Sequence, residues 1–273
     1  MSLLLTLFLD IMNKSSWGGV RDYREAKRET RMRMRMRMRQ EVYGLALLMI
    51  FSQVLSAQER WVYRYDGPGS GNDEASSIVA GDESALYVAG QSMRPVGDYD
   101  LIVVSLTCQG ARRWVYRYNG PGNGSDLASS MAVDTDGNLY AAGASVGDGT
   151  SYDFLVVSLD TSGTERWTYR YNGPGDGYDD ASSIAVGEDK SLYITGKSMG
   201  GGTDYDIAVV SLTPQGEERW VYRYNSPDSL SDVPHSIFAA PDSNLYVSGY
   251  SAKYWPGGPN EDLIVLSLTP EGE

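Results

Sequence analysis

Short apolar and polar runs alternate from about residue 60 to the end of the sequence, and their order recurs. In the first copy, β-rich runs cover residues 76–80, 86–90, 100–106 and 114–118. Each run has about five to seven residues and is bounded by Gly, Asp, Asn or Pro, as strands are by turns. The run at 100–106 is mostly apolar on both faces, whereas the run at 114–118 has one aromatic face. The pattern therefore predicts four strands per copy and no helix in the repeats.

The copies are spaced by 53 residues, and each begins with Trp-Val-Tyr-Arg-Tyr or, in the third copy, Trp-Thr-Tyr-Arg-Tyr. A unit of this size cannot bury its own apolar face and must stack on its neighbours. Four short antiparallel strands in about 50 residues match one propeller blade. We therefore predict an all-β fold, a β-propeller built from four 53-residue four-stranded blades. The structural residues of this fold, expected to be largely buried between blades, are Trp61, Trp114, Trp167 and Trp220.

Two arrangements of the blades remain open. The repeats begin on the last strand of a blade, Trp61–Tyr65, and the fourth copy reaches only the turn before that strand. Trp61–Tyr65 could complete the fourth blade and close a four-blade ring without a long unpaired edge. Alternatively, the chain is a fragment of a larger propeller, and its two open edges would aggregate or pair with a second chain.

The repeated phrases resemble those of a known repeat family. They are Asp-x-Ala-Ser-Ser-Ile, then Leu-Tyr-x-x-Gly, then Tyr-Asp-x-x-Val-x-Ser-Leu-x-x-x-Gly, with drift in the last copy. They are similar to the bacterial seven-bladed beta-propeller (SBBP) repeat over residues 60–273. The resemblance implies extracytoplasmic repeat modules without an assigned chemistry. A weaker likeness to pyrroloquinoline-quinone propellers, carried by Gly four residues before Trp, indicates Trp packing between blades.

Charge and composition divide the chain near residue 57. The segment before it holds 10 of the 23 basic residues and 5 of the 36 acidic residues, so the remainder has a net charge of about −18. Such a surface repels nucleic acids. The predicted domains are an upstream extension at 1–40, disordered or arising from a mis-called start, a signal peptide at 41–57, and the repeat domain at 58–273. The apolar core before Ala57 is short for a membrane span, which needs about 20 residues.

The predicted location is accordingly secreted, periplasmic or in the cell envelope. The single cysteine, Cys108, excludes an internal disulfide and stands where other copies have Thr or Pro. Its sequence position indicates a drifted turn residue, and not a reactive thiol.

Acidic residues recur in two loops of every copy. One set follows the Trp strand and the other precedes the third strand, and a meander places both loops at one end of each blade. Long loops on a rigid scaffold are frequent binding sites. The candidate ligand-binding carboxylates are Asp73, Asp126, Asp179, Asp232, Asp100, Asp153, Asp206 and Asp262. Ca²⁺ would suit such oxygens, but acids that recur once per blade favour a role in fixing turns. We therefore expect no cofactor, with Ca²⁺ as the alternative.

Residues for metal or nucleophilic catalysis are scarce. His235 is the only histidine and replaces a serine of the other copies. Neither a His/Cys metal set nor a Ser–His–Asp triad is present. The clearest departure from the repeat is the longer last loop, where Tyr254 and Trp255, beside Lys253, are predicted to form an exposed aromatic surface and to join the ligand-binding set.

These features predict an exported, non-enzymatic scaffold that binds an unknown protein or glycan through its Gly/Asp-rich loops, with no nucleic-acid partner. The alternative is a propeller enzyme, either a quinoprotein-like oxidoreductase or a carboxylate-based hydrolase.

Overall fold

The computed structural model describes residues 25, 27–36, 38, 59–82 and 85–273. The chain divides into two compact units, Met1–Arg60 and Trp61–Glu273. In the first unit, residues 27–36 are helical, and Arg33 lies 3.7 Å from Glu29 one turn earlier. Met and Arg are both good helix formers, a preference that the prediction for residues 1–40 did not consider. None of the described helical residues belongs to a helix long and apolar enough to cross a membrane. The predicted signal peptide lies outside the described residues.

The second unit consists of antiparallel strands. In the described part of the chain these are β1 (Asp73–Ala80), β2 (Ala85–Met93), β3 (Tyr99–Thr107), β4 (Arg112–Tyr118), β5 (Asp126–Val133), β6 (Leu139–Val146), β7 (Tyr152–Leu159), β8 (Glu165–Tyr171), β9 (Asp179–Val186), β10 (Leu192–Met199), β11 (Tyr205–Leu212), β12 (Glu218–Tyr224), β13 (Asp232–Ala239), β14 (Leu245–Trp255) and β15 (Gly258–Leu268). The predicted strands are confirmed from Asp73 onward, each extended by a few residues, whereas Trp61–Tyr65, which was also predicted as a strand, forms none.

The strands form four meanders in chain order. We call them sheet 1 (β1–β4), sheet 2 (β5–β8), sheet 3 (β9–β12) and sheet 4 (β13–β15). Three separate apolar cores lie between consecutive sheets, and the residues that form them come from both partners. The fold is therefore all-β and propeller-like, as predicted.

The Ala-Ser-Ser phrase has a structural explanation in a bulge of each first strand. In sheet 1 the pairing with β2 shifts between Ala75 and Ser77. The bulged backbone approaches Gly90 of β2 so closely that a Cβ there would collide with the Glu74 carbonyl. Ser77 Oγ accepts a hydrogen bond from Met131 N of sheet 2 at 3.1 Å. One serine of the phrase thus connects consecutive sheets, and the Gly of Leu-Tyr-x-x-Gly permits the bulge.

The tryptophans connect consecutive sheets, as predicted. Trp114 Nε1 donates to the Thr161 carbonyl of sheet 2 at 3.0 Å, and the ring lies over Gly163 of the same turn. Gly163 has φ +84°, and a Cβ there would lie 2.7 Å from the Trp114 ring. On its other side, Trp114 contacts Tyr87 of its own sheet, with 5.7 Å between ring centroids. Trp167 and Trp220 repeat these contacts.

The tryptophans are half-buried, so the expectation that they are largely buried is wrong. Each indole bonds the turn of the next sheet and keeps part of its surface exposed. Trp61 makes the corresponding bond to the Cys108 carbonyl, at 3.0 Å, and is 37% exposed.

Trp61–Tyr65 does not close a four-blade ring in the structure. Sheet 4 has three strands, and Trp61–Tyr65 pairs with no strand among the described residues. Instead, Tyr63 and Tyr65 pack on Ile102, Val104 and Leu106 of sheet 1. To close the ring, this segment would have to pair with β15 of sheet 4 and also pack on sheet 1. In the structure it packs on sheet 1 but does not pair with β15.

Candidate functional site

The first set of predicted carboxylates holds the Gly-rich loops. Asp126 Oδ2 accepts a hydrogen bond from Gly120 N at 2.8 Å, and Asp179 does the same from Gly173 N at 2.7 Å. Asp73 and Asp232 bind Gly67 N and Ser226 N at 2.9 and 2.7 Å. Burial raises the pKa of Asp126, although hydrogen bonds from Ser145 and Gly120 oppose that effect. These carboxylates thus stabilise the turns, as in tight loops generally.

The second set forms ion pairs with the arginine of the Trp-x-Tyr-Arg-Tyr strand. Arg170 lies 2.7 Å from Asp153, and Arg223 lies 2.7 Å from Asp206. Asp100 is held by Arg117 at 3.5 Å and by Arg94 at 3.1 Å. All three carboxylates are buried, and their partners come from the same sheet or its loops. Their oxygens already have protein partners.

Asp262 is the exception in this set. Sheet 4 has three strands among the described residues, and Asp262 pairs with Lys253 of the same hairpin instead of with an arginine equivalent to Arg223. That hairpin, β14–β15, extends past the corresponding hairpins of the other sheets. Its tip exposes Tyr254 by 67% and Trp255 by 56%, and Lys253 Nζ lies 5.2 Å from the Trp255 ring centroid. The predicted aromatic surface is therefore exposed in the structure.

A second cluster lies on the loop end of sheets 2 and 3, and we call it the tyrosine–lysine cluster. The Tyr178 ring is 4.9 Å from Tyr152 of sheet 2 and 6.5 Å from Tyr205 of sheet 3, between ring centroids. Lys197 Nζ lies 4.9 Å from the Tyr178 centroid and 5.2 Å from the Tyr205 centroid. The register of β9 and β10 places Asp180 directly opposite Lys197. The cluster comprises Tyr152, Tyr178, Asp180, Lys197 and Tyr205.

The electrostatics of Asp180 differ from those of a surface carboxylate. Burial raises its pKa, while the positive charge of Lys197 and a hydrogen bond with Tyr178 lower it, and burial prevails. Burial and the neighbouring Asp180 charge likewise raise the pKa of Tyr178. A carboxyl that holds its proton to higher pH than usual is suited to act as a general acid.

This cluster interrupts the repeat and was missed in the sequence. Tyr178 takes the place of Asn72, Ser125 and Ser231, whereas Lys197 takes the place of Gln91, Ala144 and Tyr250. Each replacement alone looks like drift. The replacements could be found by comparing the copies position by position. The further question is which replaced positions face one another across β9–β10.

Asp204 is a further carboxylate beside the cluster. It immediately precedes Tyr205, and its Oδ1 accepts a hydrogen bond from Tyr205 N at 3.0 Å. The side chain is exposed, in contrast to Asp206 two residues later. One half-buried carboxyl and one exposed carboxylate therefore accompany the three tyrosine rings.

The remaining candidates have simpler surroundings. His235 occupies the bulge of β13, is exposed, and contacts the Tyr250 ring at 5.8 Å between centroids. Cys108 is an exposed free thiol in the turn before β4. Within the described residues, no three His, Cys, Asp or Glu side chains are grouped so that they could hold a metal ion.

Comparison with known proteins gives similarity in structure only. No family model matches the chain, and no curated protein matches its sequence. Similar solved structures include a mutant of the alpha-L-arabinofuranosidase Arb93A from Fusarium graminearum with an iminosugar inhibitor, at 10% identity and TM-score 0.49, covering 74% of this chain and 64% of that one. A thermostable family-43 glycoside hydrolase matches at 16% identity and TM-score 0.43, covering 70% of each chain. A putative gluconolactonase matches at 13% identity and TM-score 0.32, covering 74% of this chain and 80% of that one.

The chain thus spans just under two thirds of the arabinofuranosidase structure. All three similar structures are described as enzymes, in contrast to the prediction of a non-enzymatic scaffold, which is therefore not kept. Similarity at these identities assigns neither a reaction nor a substrate to the chain. Those must come from its own residues.

Proposed function

We propose that the chain is a β-propeller enzyme, with its four 53-residue sheets as blades, and that the tyrosine–lysine cluster hydrolyses a glycosidic bond. The observation that carries the proposal is the placement of Asp180 opposite Lys197 and beside Tyr178, at a position where the other sheets have a different set of residues. An active site in a repeat protein has to depart from the repeat, and this cluster does so in three of its five side chains, Tyr178, Asp180 and Lys197.

The chemistry of the cluster suits a carbohydrate. Half-buried tyrosine rings offer an apolar face together with a hydroxyl, and such side chains bind groups that are apolar on one side and polar on the other. Glycoside hydrolysis usually needs two carboxyl groups, one protonated and one ionised. Here Asp180 is the proposed acid and the exposed Asp204 the proposed second carboxylate.

In the proposed reaction, Asp180 donates its proton to the glycosidic oxygen as the bond from that oxygen to the anomeric carbon breaks. The Asp204 carboxylate accepts a proton from the water that adds to the same carbon. Lys197, between the rings of Tyr178 and Tyr205, orients Asp180 by its charge.

The test is hydrolysis of chromogenic 4-nitrophenyl glycosides and of polysaccharides that include arabinan. Asp180→Asn should lower kcat at least about 100-fold, the usual contribution of a general acid, without changing the melting temperature. The matched control is Glu74→Gln in sheet 1, which occupies the equivalent position and is bound by Gln91 Nε2 at 3.1 Å. It should leave the activity unchanged. Absence of turnover on the whole panel, or an Asp180→Asn variant as active as the wild type, would contradict the proposal.

Export and membership of the SBBP repeat family belong to the same proposal. Residues 41–57 have the basic flank, apolar core and small-residue end of a signal peptide. Fusing residues 1–60 to a reporter enzyme that is active only outside the bacterial cytoplasm should yield reporter activity, and N-terminal sequencing should find Gln58 as the first residue. A reporter that stays inactive would contradict export.

A further inference from the structure

The two ends of the row of sheets expose apolar side chains that are buried in the interior sheets. On sheet 4, Leu263 is 84% and Val265 is 58% exposed, whereas their equivalents in sheet 3, Ile207 and Val209, are fully buried against sheet 4. We call the surface formed by Phe238, Leu263 and Val265 the outer face of sheet 4. In sheets 1, 2 and 3, the residues at the equivalent positions pack against the sheet that follows in the row.

Sheet 1 exposes the opposite kind of face, the one that in sheets 2, 3 and 4 packs against the preceding sheet. Ile78 is 63% exposed, although its equivalent Met131 is buried between sheets 1 and 2. The outer face of sheet 1 comprises Ala75, Ile78, Leu86 and Val88. Their equivalents in sheet 2 all belong to the core shared with sheet 1. The two outer faces are therefore complementary by sequence and position.

An unpaired strand sequence lies on the outer side of sheet 1. Trp61–Tyr65 has the sequence of Trp114–Tyr118 and contacts sheet 1 as β4 contacts sheet 2, through the Trp61 bond to Cys108 and the packing of Tyr63 and Tyr65. Within the described residues, its backbone forms no hydrogen bond to any strand. It thus has the contacts of a fourth strand to the next sheet but lacks its own sheet.

The outer edge of β15 offers the missing partner. In sheet 3, Val210 pairs with Val221, and Ala208 pairs with Arg223. Transferred to the equivalent positions, this register places Val62 opposite Leu266. An exposed edge of a strand is a template for pairing with another chain.

Charge supports the same register. In sheet 3, Arg223 bonds Asp206 at 2.7 Å. The equivalent residues are Arg64 and Asp262, both exposed, and Arg64 has no ion-pair partner among the described residues. Strand pairing in this register would bring Arg64 to Asp262.

We propose that the exposed edge of β15 pairs with Trp61–Tyr65 of a second copy of this chain, so that the outer face of sheet 1 of that copy covers the outer face of sheet 4. The same chain does not fill this role in the structure, because sheet 4 has three strands among the described residues and Trp61–Tyr65 of the same chain does not pair with β15. A head-to-tail contact of this kind is heterologous, and the proposal is that two copies, each donating and accepting one strand, close it into a ring rather than an open filament.

Disulfide trapping tests the register and the source of the strand together. In a Cys108→Thr background, a Val62→Cys chain is mixed under oxidising conditions with a differently sized Leu266→Cys chain. A disulfide-linked pair of unlike chains is expected, and Val62→Cys with Ser267→Cys, one residue out of register, should link far less. No link between the chains, with an internal disulfide in the Val62→Cys/Leu266→Cys double variant, would overturn the proposal.

Sedimentation equilibrium of the full chain measures the association without cysteines. The wild type should be a dimer, and Val265→Asp or Ile78→Asp, one on each outer face, should each give monomers with unchanged circular dichroism. Arg64→Asp should weaken association, and adding Asp262→Arg should restore it. A monomeric wild type would overturn the proposal, and these measurements are independent of enzymatic activity.

Discussion

Strands β11 and β15 have nearly the same sequence pattern but opposite surroundings. In β11, Ile207 and Val209 are fully buried, because β12 lies on one edge and sheet 4 covers the face. In β15, the equivalent Leu263 and Val265 are exposed, because no strand and no sheet follow among the described residues. The comparison shows that the repeat specifies each sheet locally, whereas burial of its apolar face depends on the next sheet in the row.

Removing one apolar side chain from each strand should give the largest contrast. Ile207→Ala should lower the free energy of unfolding by about 2–5 kcal/mol, because it leaves a cavity between sheets 3 and 4. Leu263→Ala, at the same position in the repeat, should change it by less than about 0.5 kcal/mol in dilute protein, as is usual for exposed sites. Urea unfolding measures both, and equal losses would contradict the difference in burial.

The tryptophans sharpen the comparison at the junctions between sheets. Trp167→Ala should cost about 2–3 kcal/mol, less than a fully buried tryptophan, because it removes a half-buried ring and its hydrogen bond to Pro214. Trp61→Ala removes the same kind of hydrogen bond from a segment that belongs to no sheet, so it should cost about 1 kcal/mol or less in the monomer. Thermal unfolding at low protein concentration measures the two variants. A larger loss for Trp61→Ala would show that Trp61–Tyr65 belongs to a sheet of its own chain.

The loop carboxylates extend the comparison to the first sheet. Asp126→Ala leaves the buried Gly120 N–H without its acceptor and should cost about 1–3 kcal/mol. Asp73→Ala should cost less, because Asp73 and its loop are only half-buried and water can replace the carboxylate. Chemical unfolding of both variants checks this order, and an Asp126→Ala variant as stable as the wild type would contradict the turn-fixing role.

The smallest expected effect is a shift in the pH dependence of the proposed activity. Burial raises the pKa of Asp180 and Lys197 lowers it, so removing the lysine charge in Lys197→Met should raise that pKa further. A general acid is active only when protonated, so activity is lost as the pH rises through its pKa. The basic limb of the kcat profile should therefore move to higher pH in Lys197→Met. Gln91→Met, the matched change in sheet 1, should leave the limb in place, and a shift to lower pH would contradict the assignment.

The sequence predicted the strands well because their signals are local. Alternation, Gly and Asp at turns, and the recurring Trp-x-Tyr-Arg-Tyr phrase all act within a few residues. The connection of sheets through tryptophan was also predicted, but its degree of burial was overestimated, because a linear pattern does not show that each indole bonds a turn of the next sheet. Closure was left open, because a period of 53 residues does not state how many units complete a ring.

The candidate site was harder to predict. The acids chosen for their regular recurrence, such as Asp126 and Asp153, are held by backbone amides or arginine in the same sheet. The cluster around Asp180 departs from the repeat, and its members are separated by up to 53 residues in the chain. Regularity therefore marked the residues that stabilise the fold, whereas the proposed chemistry lies where the regularity fails.

The central claim is that the end sheets present two halves of one interface that is completed three times within the chain. Hydrogen exchange of the backbone amides in β11 and β15, over a dilution series, tests it most directly. The β11 amides should stay protected at every concentration, and the outer-edge amides of β15 should be protected in concentrated protein and exchange faster on dilution. Equal protection of β15 and β11 at all concentrations would show that the edge is covered within one chain and would contradict the account.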